Sequence, residues 1–264
     1  MKKLLTIFSM LLLLVLAACG SEETSAPSEA QGEDSTLLDE IKERGKITVA
    51  MGGKYPPFNY INEENELVGF DVDIAKEIAK RLGVEMEPVT TDWDAIITGL
   101  LTEKYDIILG SMSITPERQQ KADFVQYYTS GAAIIVPEDS SIKGKEDLKG
   151  KTVGVGLGTT YEEKAREIGS EVKTYKSSVE AFTDMINGRI DAVISDKLLS
   201  AYGIKKKNYP FEIVGDHLFV DECGVALRKE SNELEKEIQS IIKEMQEDGT
   251  YTEISEKWFG MDIR

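Results

Sequence analysis

The sequence predicts an α/β protein whose folded body divides into two lobes. Three observations carry this expectation. From about Leu37, short apolar runs alternate with stretches of helical period, as in strand-helix-strand units. The pattern continues for about 220 residues, which suit two lobes better than one core. The first 36 residues take no part in it.

That leading segment reads in two pieces. Lys2 and Lys3 precede an apolar stretch, Leu4 to Ala18, broken only by Thr6 and Ser9. It is shorter than the roughly 20 apolar residues of a membrane span. A charged start, a short apolar core and small residues before a cut site describe a secretory signal peptide, residues 1–18. The run Leu16-Ala17-Ala18-Cys19-Gly20 resembles the bacterial lipobox, which implies diacylglycerol on the Cys19 thiol and a new N-terminus there. Two acyl chains suffice for stable anchoring. Residues 19–36 would then be the lipidated Cys and a flexible tether. Gly20 to Thr36 lacks Leu, Ile, Val and aromatic residues, so it cannot bury a core. A coil of that length spans about 20–25 Å. The expected location is the extracellular face of the cell membrane, with the body held by its lipid anchor.

The body follows in order. Ile47-Thr48-Val49-Ala50 reads as a buried strand. Phe70, Ile74, Ile78 and Leu82 recur every four residues, marking an amphipathic helix that Gly83 closes. A strand near Glu85–Val89, a helix from Trp93 to Leu101 and a strand over Tyr105–Leu109 complete the first rhythm. The second runs strand Lys151–Val155, helix Thr160–Ile168, strand Val172–Tyr175, helix Val179–Asn187 and strand Ala192–Ser195. Leu234, Ile238, Ile241 and Met245 mark a further helix, and Tyr251, Ile254 and Trp258 a short last one. Such alternation predicts parallel sheets with helices on both faces.

Composition removes several functions. The formal net charge is −17, and −19 once residues 1–18 with their two lysines are gone. Such a chain is a poor partner for nucleic acid, which needs clustered Lys and Arg. The two cysteines are Cys19 and Cys223, so an acylated Cys19 leaves Cys223 without a disulfide partner. A single histidine, His217, excludes His-based metal clusters and makes a Ser-His-Asp hydrolase a poor fit. No metal or other cofactor is expected, and the chain is expected to be monomeric.

In open parallel sheets ligands sit beyond the carboxyl ends of strands. Four such ends carry notable residues: Met51 to Phe58, Gly110 to Arg118, Gly156 to Thr160, and Ser195-Asp196. Thr159 and Thr160 open a helix, whose free amides favour an anion. Arg118 can grip a carboxylate through two parallel hydrogen bonds. Asp196 can accept from an ammonium. Together they suit the two ends of an α-amino acid, and all lie at one predicted sheet edge. Each also has a plainer reading. Thr115-Pro116 looks like a helix start that would make Arg118 a solvated helix residue. Asp196 can cap the helix after it, Ser111 and Ser113 can be turn residues, and Tyr55 and Trp93 can be core. Gly154, Gly156 and Gly158 hint at a dinucleotide loop, but the spacing is G-x-G-x-G and the next strand ends Lys173-Thr174-Tyr175-Lys176 without an acid for a ribose.

Tyr55-Pro56-Pro57-Phe58, Gly69-Phe70-Asp71-Val72-Asp73, Tyr105-Asp106-Ile107-Ile108, Ser113 to Arg118, Asp123-Phe124, Gly188 to Ala192 and Lys257-Trp258-Phe259-Gly260 together resemble the polar amino acid family of bacterial solute-binding proteins. These are the histidine, lysine-arginine-ornithine and glutamine binders, family 3 of the extracellular solute-binding proteins. The resemblance covers nearly all of residues 46–264. It implies a periplasmic-binding-protein-like type II fold, two α/β lobes joined by two hinge strands. Lobe one would span 46–132 plus 227–264, and lobe two 133–226. It implies a carboxylate clamp at Arg118 helped by the amides of Ser113 and Thr160. Asp196 with Ser111 would receive the ammonium, and Tyr55 and Trp93 would sandwich the side chain. The implied partners are a free amino acid, an ABC-type permease and its ATPase. Gly52 stands where the basic-residue binders carry an Asp, which counts against a cationic ligand. Two rival readings are a secreted dehydratase of the prephenate or arogenate type on the same fold, and an amino acid sensor that feeds no importer.

Overall fold

The structure, a computed structural model, describes residues 35–264. The expected signal peptide, Cys19 and the tether through residue 34 lie outside the described residues. The expected tether's last residue already belongs to the fold. Thr36 caps α1 (Leu37–Arg44): its Oγ1 accepts the Asp39 amide at 3.2 Å, and the Asp39 carboxylate accepts the Thr36 amide at 3.1 Å. This reciprocal box satisfies two donors that a helix start leaves free.

β1 (Lys46–Met51) comes next, followed by a small antiparallel sheet of β2 (Lys54–Tyr55), β3 (Asn59–Ile61) and β4 (Leu67–Val68). α2 (Phe70–Leu82) starts at Gly69, where φ is +139° and a Cβ would lie 2.0 Å from the Phe58 carbonyl, so only glycine fits. Its buried stripe of Phe70, Ile74, Ile78 and Leu82 stabilises by roughly 1.5–3 kcal/mol for each large side chain. Gly83 ends it in the left-handed conformation. Then come β5 (Glu85–Thr90), a 3₁₀ turn over Trp93–Ala95 leading into α3 (Ile96–Leu101), β6 (Ile107–Ser113) and the one-turn α4 (Pro116–Gln119). β7 (Ala122–Pro137) is 16 residues long. Beyond it lie β8 (Thr152–Gly156), α5 (Thr160–Ile168), β9 (Glu171–Tyr175), α6 (Ser178–Ile186), β10 (Ala192–Asp196) and α7 (Lys197–Lys207). β11 (Phe211–Val214), β12 (Val220–Arg228), α8 (Asn232–Glu247) and α9 (Thr250–Phe259) complete the chain.

Nine strands join in the order β5-β1-β6-β12-β7-β10-β8-β9, with β11 also on β7. Parallel pairing holds only within β5-β1-β6 and within β10-β8-β9. β7, β11 and β12 run antiparallel to their neighbours, so the sheet is mixed, not parallel as the alternation predicts. Antiparallel partners need no crossover helix, and the strand-helix rhythm therefore does not announce them. β7 pairs with β12 over Ala122–Gly131, then lies between β10 and β11 over Ala132–Pro137. The chain thus passes from a first half of the sheet to a second between Gly131 and Ala132. It is back in the first half by Val220, because β12 pairs there along its whole length; the expected return boundary at 226 falls inside that strand.

Strand alternation divides the core between the faces. Ile47, Val49 and Met51 of β1 share one core with the buried stripes of α2 and α8, while Ala50 belongs to another with Ile96 and Leu100 of α3. Val153 and Val155 of β8 and Ala192 and Ile194 of β10 pack on Tyr161 and Ala165 of α5. No helix among the described residues is long and apolar enough to cross a membrane. His217 is exposed in the loop between β11 and β12.

Candidate ligand-binding site

The segments that follow β1, β5, β8 and β9, with the end of β6, line one cavity of about 730 Å³, counting the part open to solvent. They come from both halves of the sheet, so the strand ends face one another across a cleft instead of sharing one edge. Tyr55, Trp93, Ser111, Ser113, Arg118, Thr159 and Thr160 all line it, and Asp196 does not.

Arg118 sits in α4, whose start matches the plainer reading: Thr115 Oγ1 accepts the Arg118 amide at 3.2 Å and Pro116 is the first helical residue. The side chain nevertheless turns inward. Nη1 donates to the Ser113 carbonyl at 2.9 Å and Nη2 to the Gly158 carbonyl at 3.3 Å, and the guanidinium lies 5.8 Å from the Trp93 ring centre. Burial pulls its pKa down. Among the described residues no carboxylate forms an ion pair with it. Thr159 caps α5, accepting the Glu162 amide at 3.3 Å and donating to the Gly156 carbonyl at 2.7 Å. The Thr160 amide, first in α5, therefore points outward from a helix start.

Ser111 adopts φ of +59°, unusual for a residue with a side chain. A buried network holds it there. Its amide donates to Tyr127 Oη at 2.9 Å and its hydroxyl to Asp71 Oδ2 at 3.0 Å. Tyr127 donates to Asp71 Oδ1 at 2.7 Å, Asn59 Nδ2 to Asp71 Oδ2 at 2.7 Å, and the Gly53 amide to Asn59 Oδ1 at 2.8 Å. Burial pushes the Asp71 carboxyl up to about 6, while the donors from Tyr127, Asn59 and Ser111 pull the other way. Below Ser111 the free thiol of Cys223 is buried, 3.7 Å from the Ser111 carbonyl.

Asp196 ends β10 and caps α7, as its plainer reading has it. Oδ1 accepts the amides of Leu198 at 2.7 Å and Leu199 at 3.0 Å. Oδ2 is buried and makes no hydrogen bond among the described residues, and neither do Ser130 Oγ and Tyr128 Oη. Burial pushes this carboxyl up to about 7; the capping amides and the nearby Ser130 hydroxyl only partly offset it. Asp196 is fully buried, outside the cavity lining, and within electrostatic reach of Tyr55 and Tyr161, which do line it.

Contacts close the cleft across its width. Ser113 Oγ and Thr160 Oγ1 are 3.3 Å apart, Tyr161 Oη donates to Asp221 Oδ2 at 2.9 Å, and Lys176 Nζ meets Asp92 Oδ2 at 3.0 Å. Sequence reasoning missed Asp92, Tyr161 and Lys176. Two of them had a signal: Asp92 follows β5 and Lys176 follows β9, so the same strand-end rule finds both when applied to every parallel strand. Among the described residues no group of three or more His, Cys, Asp or Glu is placed to hold a metal.

Comparison with known proteins points one way. A family model described as bacterial extracellular solute-binding proteins, family 3, matches residues 47–261. The L-cystine-binding protein TcyJ of Escherichia coli (strain K12) is 41% identical over 235 residues, 87% of this chain and 88% of that protein. The histidine-binding periplasmic protein of the same organism is 36% identical over 230 residues, 82% of this chain and 88% of that one. Among solved structures, the ancestral amino acid-binding protein AncCDT-1, a precursor of cyclohexadienyl dehydratase, superposes with a TM-score of 0.80 at 40% identity, covering 84% of this chain and 99% of that one.

Proposed function

This chain belongs to the bacterial extracellular solute-binding proteins of family 3, and from that premise we propose that it captures one polar amino acid between its two lobes and hands it to an ATP-driven importer. The fold is the two-lobed type II fold, and the family's business is amino acid binding. The observation that carries the reading is Arg118. It is a half-buried guanidinium in the cavity wall, fixed by two carbonyls and lacking an ion-pair partner among the described residues. A ligand carboxylate supplies that partner, with the Thr160 amide beside it. Asp196 Oδ2, buried and without a hydrogen bond among the described residues, takes the ammonium; this requires the cavity to open toward it as the ligand enters. Tyr55 and Trp93 hold the ligand side chain. Lobe one is 46–131 with the C-terminal part from Val220, and lobe two lies between them, hinged on β7 and the approach to β12.

Titration calorimetry with cystine, histidine and other polar amino acids tests this. Binding should vanish when the ligand carboxylate is amidated or its amine acetylated; equal binding of the blocked ligands overturns the reading. We propose binding without turnover: prephenate and arogenate should come back unchanged after incubation. Cys19 carries the diacylglyceryl anchor, which mass spectrometry of the membrane fraction should find on a new N-terminal Cys. Transport rather than sensing predicts that deleting the chain abolishes uptake of its ligand by the cell.

A further inference from the structure

Two residues of the closed cleft have no part in the reading above. Asp221, the second residue of β12, is 2% exposed and lies in the first half of the sheet, opposite Ser130 of β7. Tyr161 belongs to α5 and packs in the second half, in one core with Val153, Val155 and Ala192. Its hydroxyl reaches across and donates to Asp221 Oδ2 at 2.9 Å. Phe219 stacks on the Tyr161 ring, with centres 6.0 Å apart and planes at 22°, and steadies it in that direction. Burial pushes the Asp221 carboxyl up, while the Ser113 and Tyr161 hydroxyls and the Arg118 charge pull the other way. Tyr161 lines the cavity and Asp221 does not.

The three contacts across the cleft differ in weight. The Asp92 and Lys176 side chains are 54% and 63% exposed, so water replaces their pair at little cost. Ser113 and Thr160 bring two neutral hydroxyls to 3.3 Å. Tyr161 and Asp221 join a hydroxyl to a buried carboxyl group, and a hydrogen bond to an ionised acceptor is roughly twice as strong as one between neutral groups. Losing it inside a closed cleft leaves a buried oxygen without its donor, whereas parting the halves lets water reach both groups. The bond therefore favours the closed cleft.

We infer that Asp221 is a positioning residue of this site: through Tyr161 it clasps the two halves of the sheet over the cavity and sets how slowly a captured ligand leaves. The inference rests on the amino acid-binding reading above and adds to it a group outside the cavity wall. The clasp acts on the closed state, so it lengthens residence without choosing among ligands.

Stopped-flow fluorescence decides it, with Trp93 in the cavity wall as reporter and, as probe, the tightest binder among the common amino acids and L-cystine. Tyr161→Phe, which keeps the ring and loses the hydroxyl, should speed dissociation about tenfold without slowing association. Asp221→Ala should do the same, and the double variant should be no faster than either single one. Asp221→Asn, which keeps an acceptor, should fall between Asp221→Ala and the parent; if Asp221→Ala does not fold, it carries the test with Tyr161→Phe. Unchanged dissociation in these variants overturns the inference, and a lowered melting temperature beside it would make the pair a support of the fold alone. Effects that multiply in the double variant also overturn it, because the two residues would then act apart. So does an effect of Tyr161→Phe without one at Asp221, which would make the hydroxyl a ligand contact. No binding of any amino acid, by a parent chain that melts cooperatively, removes the underlying reading and the clasp with it.

Discussion

Two buried carboxylates on opposite sides of the cleft have been treated differently by the fold. Asp71, in the first half, receives Tyr127, Asn59 and Ser111, and both of its oxygens are occupied. Asp196, in the second half, spends one oxygen on the start of α7 and leaves the other buried near the Ser130 hydroxyl, without a hydrogen bond among the described residues. The first group is complete in the protein alone and serves to hold Ser111 in its left-handed pose. On the proposed reading the second is completed by a ligand's donor, and Arg118 across the cleft by a ligand's acceptor. A buried polar atom left unpaired costs about 1–3 kcal/mol, which a bound ligand would recover.

The sharpest way to break this contrast is to remove the unfinished groups. Arg118→Ala and Asp196→Asn should each weaken ligand binding by about 2–5 kcal/mol, a factor of about 30 to several thousand, with the fold intact by circular dichroism. Binding within about threefold of the parent would place the ligand elsewhere. Asp71→Ala should show the reverse profile. It strips partners from Asn59 and Tyr127, costs about 1–3 kcal/mol of stability, and lowers the melting temperature on the order of 5 °C. Its effect on affinity should be the smaller one and arise through Ser111; a variant that melts like the parent would show the network to be dispensable.

Proton linkage separates the two carboxylates further. Asp196 stands near 7 in the fold against 3.8 for an ordinary aspartate, so its contribution to stability is full below 3.8 and is lost as pH rises through 7. A ligand ammonium needs the ionised form. Affinity should therefore fall by up to about tenfold for each pH unit below 7, and the residual binding of Asp196→Asn should lack that slope. Asp71 stands near 6 and meets no ligand, so Asp71→Asn should leave the slope in place. The smallest effects belong to the aromatic walls: Tyr55→Ala and Trp93→Ala should each cost roughly two- to tenfold in affinity, and the exposed Lys104→Ala should cost nothing measurable.

Helices were the most legible part of the sequence. The four-residue spacing from Phe70 to Leu82 and the stripe from Leu234 to Met245 name faces that are indeed buried. β7 was not legible, because Ala122–Pro137 changes neighbours partway and its side chains answer to two different packing environments. β12 escaped for a related reason, being antiparallel and reached without a crossover helix. Strand-end reasoning reached Arg118 and Thr160 as residues of the cavity lining but could not show that Asp196 lies outside it. Such an offset depends on how the two halves of the sheet pack, which no spacing along the chain encodes. Nor could a sequence show that the Asp71 of a helix start and the Tyr127 of a strand meet over Ser111.

At the handover within β7, a Cβ on Gly131 would lie 2.8 Å from His217 Nδ1, and the backbones of Leu218 and Phe219 hydrogen-bond to Ala132. The loop returning toward the first half thus lies directly on the strand leaving it. A strand that is hydrogen-bonded in both halves transmits torque through its own covalent backbone. Twisting one lobe loads the other without any side chain having to relay the motion. Heat meets the same constraint, because neither half of the sheet can shed β7 without unpicking its pairing in the other. The two lobes should melt in a single transition, however far apart they swing while folded.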